Sequence, residues 1–411
     1  MSFLNWLYSV KNKGPLHKEV RVLGLTFRVR RELSKDGKFH NLPIENDKIV
    51  FCTQAGGYHC SPKYIAEEIR RQNLPYRQVW VVNKNILHYY DSYPKDVKLV
   101  MRGTAEALRE LATAKIWVEN ERKLSELKSG LRKKQGQVYI NTWHGSLGIK
   151  KTGNQRSDLT SASLMLGKAD SSLLDYAISN STYTTNFYRE IFWEYGTNLE
   201  YGCPRNDIFF SPDQERIRHA IREQLHISPD KKIFLYAPTW RNSGDTTCFN
   251  LDYARALCAL KKRFGGDWVM VVRLHPFMRE LEDLFFPQGV PVINATDLPD
   301  IQELLVASDA VVTDYSSCIY DFLLTGRPGF IYAPDKHFYA SGRGLCYPLE
   351  ETPFPLAADN SELEKNIEFF DEAAYKTRVK TFLQGKGSID DGHASERVVN
   401  LIKSIIENET T

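Results

Sequence analysis

The sequence predicts an α/β protein of two Rossmann-like lobes, each a doubly wound parallel sheet, facing one another across a cleft. Three observations predict it. From Lys48 onward short apolar runs alternate with helical patterns, as βαβ units do. The 411 residues exceed what one hydrophobic core usually holds. A polar, charged stretch from Ser211 to Pro229 divides the alternation into two series.

In the first series, strands are expected at Ile49–Thr53, Gln78–Val82, Val97–Met101, Ile116–Glu119, Val138–Asn141, Tyr176–Ser179 and near Leu199–Gly202. Helices fit between them at Pro62–Gln72, Ala105–Ala112 and Thr185–Tyr195. The dividing stretch holds a helical pattern, Gln214–Leu225. The second series has strands at Lys232–Tyr236, Trp268–Arg273, Val290–Ile293, Ala310–Thr313 and Gly329–Tyr332, with helices at Leu251–Phe264, Ile301–Ala307 and Ser317–Leu324. Ala394–Glu407 is an amphipathic pattern carrying Val398, Val399, Leu401, Ile402, Ile405 and Ile406, suited to crossing back to the first lobe. The expected parts are a basic amphipathic segment (1–47), a first lobe on the acceptor side (48–210), a linker helix (211–230), a second lobe (231–390) and a C-terminal helix (391–411).

Composition excludes several classes. No apolar run approaches the roughly 20 residues that span a bilayer, and Met1–Val10 is too short and too polar for a signal-peptide core. The expected location is cytoplasmic. Seven scattered cysteines argue against a disulfide framework and for a reducing compartment. His59-Cys60 lacks a partner at ligand spacing, so no metal site is expected there. There is no GxGxxG after the first strand and no GxxxxGK[ST], which removes nicotinamide dehydrogenases and P-loop nucleotidases.

Net charge is only +3, yet the N-terminus is basic, with Lys11, Lys13, Lys18, Arg21, Arg28, Arg30, Arg31, Lys35 and Lys38. They follow Phe3, Leu4, Trp6, Leu7, Tyr8 and Val10, an apolar patch at near-helical spacing. The combination suits the surface of an anionic membrane; a helix packed on the domain with a basic strand behind it is the alternative. No nucleic-acid partner is expected.

Polar groups at strand ends must carry the chemistry, since two facing lobes place a ligand crevice at the C-terminal ends of both sheets. Asn141-Thr142-Trp143-His144-Gly145 puts an imidazole at the rim, with Gly145 allowing a tight turn behind it. With a pKa near neutrality, His144 is the candidate general base; a structural histidine bonding a neighbouring carbonyl is the alternative. Arg273 and His275 lie two apart on an extended chain, project to one side and suit phosphate oxygens. Thr313-Asp314-Tyr315-Ser316-Ser317 closes a strand and opens a helix, a place for a diphosphate.

Thr239 and Arg241 end the first strand of the second lobe, and Arg205, Asn206 and Asp207 follow the last strand of the first. Each arginine, taken singly, is also readable as an interdomain salt bridge. In the absence of a carboxylate cluster comparable to DxD, arginines and a helix end are expected to neutralise the diphosphate, with no metal or other cofactor required.

The strings NTWHG, GCPRND, YAPTWR, RLHP and TDYSS, in this order, resemble the CDP-glycerol glycerophosphotransferase family of teichoic acid and capsule synthesis. Gly57-Tyr58, Ser61–Tyr64, Leu111–Lys115 and Asp391–Arg397 are similar to it too, so the likeness runs from about Lys48 to Ile402. The resemblance implies a GT-B-type fold with the active site in the cleft and a donor-binding second lobe. It also implies a CDP-alditol donor and transfer of alditol phosphate to a hydroxyl of a lipid-linked or polymeric acceptor at the inner face of the membrane, with release of CMP. It places His144 and His275 at the family's two important histidines and Ser316 and Ser317 at its diphosphate contacts. After WHG the family commonly shows Pro-Leu-Lys, whereas this chain reads Ser146-Leu147-Gly148-Ile149-Lys150-Lys151; Lys150 and Lys151 are the acceptor-side candidates. The resemblance is to the compact members, and a large N-terminal module of the kind some polymerising members have is not expected. A nucleotide-sugar transferase of the same architecture and a non-catalytic membrane-peripheral scaffold are the competing readings. The alditol, glycerol or ribitol, is not legible in these residues.

Overall fold

A computed structural model describes residues 8–12, 17–22, 25–30, 37–84, 91–155, 160–193, 195–241, 244–287 and 289–407. It contains two all-parallel sheets. The first has seven strands, ordered β10-β9-β8-β7-β4-β5-β6. They are β4 (Glu45–Cys52), β5 (Arg77–Val82), β6 (Lys98–Met101), β7 (Ala114–Glu119), β8 (Val138–Asn141), β9 (Tyr176–Ser179) and β10 (Thr197–Glu200). The second has six, ordered β13-β12-β11-β14-β15-β16. They are β11 (Lys231–Tyr236), β12 (Asp267–Val272), β13 (Val292–Asn294), β14 (Ala310–Thr313), β15 (Gly329–Tyr332) and β16 (Leu356–Ala357). Helices cover both faces, so central strands such as β7 and β14 are buried along their whole length. The architecture is GT-B-type.

Helix starts follow local chemistry. Thr104, Ser181 and Asp252 each accept a backbone N–H in the first turn of Ala105–Thr113, Thr182–Ile191 and Tyr253–Phe264. The last of these stops at Gly265, whose φ of 64° a side-chain-bearing residue resists.

The N-terminus departs from expectation. Residues 8–30 contribute three antiparallel strands, β1 (Tyr8–Asn12), β2 (His17–Val22) and β3 (Leu25–Arg30), in place of a helix reaching Tyr8 and Val10. Apolar residues alternate with polar ones in HKEVRV and LTFRVR, a period-two signal that outweighs the near-helical spacing ahead of it. Phe3, Leu4, Trp6 and Leu7 lie outside the described residues.

The lobes interpenetrate at their joint. Leu147 and Ile149, from the loop after β8, and Ile208 and Phe209, before the dividing stretch, pack in the second lobe's core. Helix Gln214–Gln224 belongs to the second lobe as well: Ile221 enters its core, and Arg218 and Arg222 both pair with Asp309. Helix Ala394–Glu407 lies on the first lobe, where Val398, Val399 and Ile402 join the core beside helix Cys60–Arg71.

Candidate active site

Between the lobes, at the C-terminal ends of both sheets, lies a cleft of about 1450 Å³. Its walls differ in chemistry. The first lobe presents Gln54 after β4, Asn83 after β5, Asn120 and Glu121 after β7, and His144 after β8. The second presents Thr239 after β11, Arg273 and His275 after β12, and Ser316 and Ser317 after β14.

His144 is held by its own lobe. Its Nδ1 lies 2.7 Å from the carbonyl oxygen of Asn120. A carbonyl oxygen only accepts, so Nδ1 carries the proton and Nε2 keeps its lone pair. The Trp143 ring stacks on the imidazole at 4.6 Å and is itself braced edge-on by Phe192. Burial pushes the imidazole down to about 4, so the ring is neutral well below the neutral range expected for it. The tight turn is not made by Gly145: Trp143, at φ 52°, and Leu147, at φ 48°, take the left-handed conformations. Gly145 gives close approach instead. A Cβ there would lie 3.5 Å from Ser317 Oγ, across the cleft.

His275 has the opposite tautomer. Its Nδ1 accepts the backbone N–H of Phe277 at 3.3 Å, which leaves the proton on Nε2. Burial, the Lys150 ammonium and the Arg273 guanidinium push it down to about 4 as well. His144 and His275 are therefore both neutral in the cleft, one an acceptor and one a donor at Nε2.

Lys150 and Lys151 both line the cleft, on the loop after β8. Lys150 forms an antiparallel bridge with Leu345, and Lys151 N donates to Gly344 O at 3.1 Å, tying the loop to the second lobe. Burial lowers the Lys150 ammonium, opposed by Asp314 and reinforced by Arg343. The charge of Lys150 acts on both His144 and His275. Ser316 and Ser317 are half-buried in the cleft, and Ser316 Oγ donates to Cys318 Sγ at 3.3 Å. Arg273 also lines it and donates to Pro299 O at 3.4 Å.

Several residues expected in the site serve the scaffold. Thr313 is fully buried and donates to Ala237 O at 2.6 Å, which joins neighbouring strands. Asp314 accepts the N–H groups of Thr239 and Tyr315 at 2.9 and 2.6 Å and faces Arg241 at 2.8 Å. Arg241 lines the cleft but is held by two carboxylates, Asp314 and Asp335, the latter at 2.7 Å, and is packed over the Tyr315 and Tyr339 rings. Its charge is already matched. Arg205 is paired with Asp321. Asn206 bonds Asp390 and Gln302, and Asp207 caps helix Ala394–Glu407 by accepting the N–H groups of Ala394 and Ser395.

The groups in the cleft that sequence reasoning missed include Gln54, Asn83, Asn120, Glu121 and, as a cleft residue, His59. The signal was present. Asn120 and Glu121 directly follow an expected strand, the same position that singled out His144. Burial pushes His59 to about 4 against the nearby Asp300 carboxylate. Among the described residues no three His, Cys, Asp or Glu side chains come together as a metal site.

The sequence profile of the CDP-Glycerol:Poly(glycerophosphate) glycerophosphotransferase family matches residues 38–404. The teichoic acid poly(glycerol phosphate) polymerase of Staphylococcus epidermidis is 31% identical over 407 residues, covering 93% of this chain and 54% of that protein. The protein of the same description from Bacillus spizizenii is 29% identical over 400 residues, covering 92% and 95%. The chain thus spans about half the length of the staphylococcal relative. The structure of the wall teichoic acid polymerase TagF matches with a TM-score of 0.76 at 32% identity, covering 89% of this chain and 90% of that one.

Proposed function

Because this chain belongs to the CDP-glycerol:poly(glycerophosphate) glycerophosphotransferase family, we propose that it moves glycerol phosphate from CDP-glycerol to a hydroxyl of a lipid-linked or polymeric acceptor. CMP is released, and the product is a teichoic-acid-like or capsule polymer. The observation that carries the mechanism is the pair of neutral imidazoles with opposite tautomers in one cleft.

The acceptor oxygen bonds to the phosphorus that bears the glycerol, and the bond from this phosphorus to the bridging oxygen breaks. CMP leaves with that oxygen and its electron pair. The hydroxyl proton passes to His144 Nε2, whose lone pair is fixed by the Asn120 carbonyl behind the ring. His275 donates from Nε2 to the charge that develops on the leaving side. Arg273, Lys150, Thr239, Ser316 and Ser317 hold the diphosphate on the second-lobe wall. These groups do the neutralising in place of a metal, and turnover is expected to survive EDTA; loss of turnover restored by a divalent cation would contradict this.

The enzyme works at the inner membrane face, and its N-terminal segment provides a reversible contact with anionic lipid. Supporting this are the basic residues at Lys11, Lys13 and Lys18 beside an apolar run. No helix among the described residues is long and apolar enough to cross a membrane.

Calorimetry with CDP and UDP tests the donor assignment. Tighter binding of CDP is expected. Preference for UDP would favour nucleotide-sugar chemistry, and binding of neither would favour a non-catalytic scaffold.

A further inference from the structure

We infer that Asn120 and Glu121 form the acceptor subsite: they bind the neutral polyol end of the acceptor chain beside His144 and disfavour an end that carries phosphate. This rests on the transferase reading above.

Asn120 is fully buried directly after β7 and is already engaged on two sides. Its backbone oxygen orients His144, and its Oδ1 accepts the N–H of Gln54 at 2.7 Å. Its Nδ2 is buried with no partner among the described residues, and the residue lines the cleft. Buried donors are nearly always paired, so an amide N–H fixed at the wall of a ligand cleft implies a ligand oxygen as its partner. The residue whose carbonyl sets the tautomer of His144 thus also carries this unpartnered donor.

Glu121 is the next residue, with its side chain 28% exposed into the cleft and held by Arg102 at 3.1 Å. A carboxylate has acceptor capacity for several donors, and one guanidinium contact leaves part of it for hydroxyl protons. A donor amide beside an acceptor carboxylate matches the hydroxyl, which gives and takes a hydrogen bond. It mismatches phosphate, which at cleft distances meets a like charge.

Charge divides the cleft in the same way. Arg273 and His275 stand on the second-lobe wall, and the Lys150 loop is tied to that lobe through Leu345. The first-lobe wall beside His144 carries the amides of Gln54, Asn83 and Asn120 and the Glu121 carboxylate, and the charge of Arg205 on that wall is matched by Asp321. Phosphates belong to the one side and polyol hydroxyls to the other.

The test uses the full chain with a soluble acceptor analogue ending in a free polyol, and an analogue of it bearing a terminal phosphate as inhibitor. Glu121→Gln keeps the shape and removes the charge. Expected are a KM for the polyol acceptor raised about tenfold, as a charged hydrogen bond is lost, tighter inhibition by the phosphate-ended analogue, and unchanged CDP affinity by calorimetry. Asn120→Asp keeps Oδ1 and volume but removes the Nδ2 donor, and is expected to raise the same KM; should it fail to fold, Glu121→Gln decides alone. An unchanged acceptor KM in Glu121→Gln, or parallel weakening of acceptor and CDP, overturns the assignment. Absence of CMP release by the wild-type protein would instead overturn the transferase reading itself.

Discussion

Arg205 of the first lobe and Asp321 of the second form a buried, two-pronged ion pair, Nε to Oδ2 at 2.9 Å and Nη2 to Oδ1 at 3.2 Å. Ser146 Oγ, two residues beyond His144, donates to the same carboxylate at 2.5 Å. A second buried pair, Lys63 to Asp300 at 3.0 Å, crosses the same joint, with Tyr64 also donating to Asp300. His144 is thus carried by a loop that is pinned to both lobes.

Asp321→Asn leaves the Arg205 guanidinium buried without its counter-charge, and the expected cost is about 3–5 kcal/mol of stability. Urea denaturation measures it. Loss of CDP affinity with stability intact would instead assign the pair to the ligand.

The acid limb of kcat/KM is expected near pH 4, since His144 must be unprotonated to act and burial holds it at about 4 in the free enzyme. Stability follows the same sign. His59 and His144 both fall from 6.5 to about 4 on folding, so the unfolded chain takes up protons first as pH drops. Their contribution is full above 6.5 and is lost as pH falls through 4. A rate profile that bends near pH 6.5 instead would show that His144 is solvated as it acts.

Ser316→Ala combined with Ser317→Ala is expected to weaken CDP binding about tenfold or more, as hydrogen bonds to a charged diphosphate disappear. Arg241→Ala behaves differently. Its guanidinium is matched by Asp314 and Asp335, so the loss should appear in thermal or urea stability ahead of CDP affinity. Unchanged CDP affinity in the double serine variant removes that pair from the site.

Removing Met1–Lys13 is expected to reduce cosedimentation with anionic liposomes while sparing turnover of a soluble acceptor, each basic residue near the surface being worth about 1 kcal/mol. High salt should release the intact protein. Equal sedimentation of both forms would place any membrane contact elsewhere.

Strand ends were legible in the sequence because period and burial dictate them: β8 and β14 lie where the apolar runs VYIN and AVVT predict. His144 and His275 were legible for the same reason, and His59 was not. Charge matching was not. Arg241 and Arg205 read in a linear string either as ligand groups or as salt-bridge partners, and the carboxylates that decide it, Asp335 and Asp321, lie 94 and 116 residues away. Thr313 and Ser316 sit in one motif, yet the first, the last residue of β14, bonds Ala237 while the second, beyond the strand end, lines the cleft. The direction of the Lys150 loop depends on Leu147 and Ile149 entering the other lobe's core, a contact no local pattern records.

CMP release by the purified full chain, with CDP-glycerol, CDP-ribitol and a UDP-sugar offered in parallel, is the most direct measurement. Expected is acceptor-dependent release of CMP from CDP-glycerol, abolished by His144→Ala although that variant still binds CDP. Turnover of the UDP-sugar alone, or full turnover in His144→Ala, would contradict it.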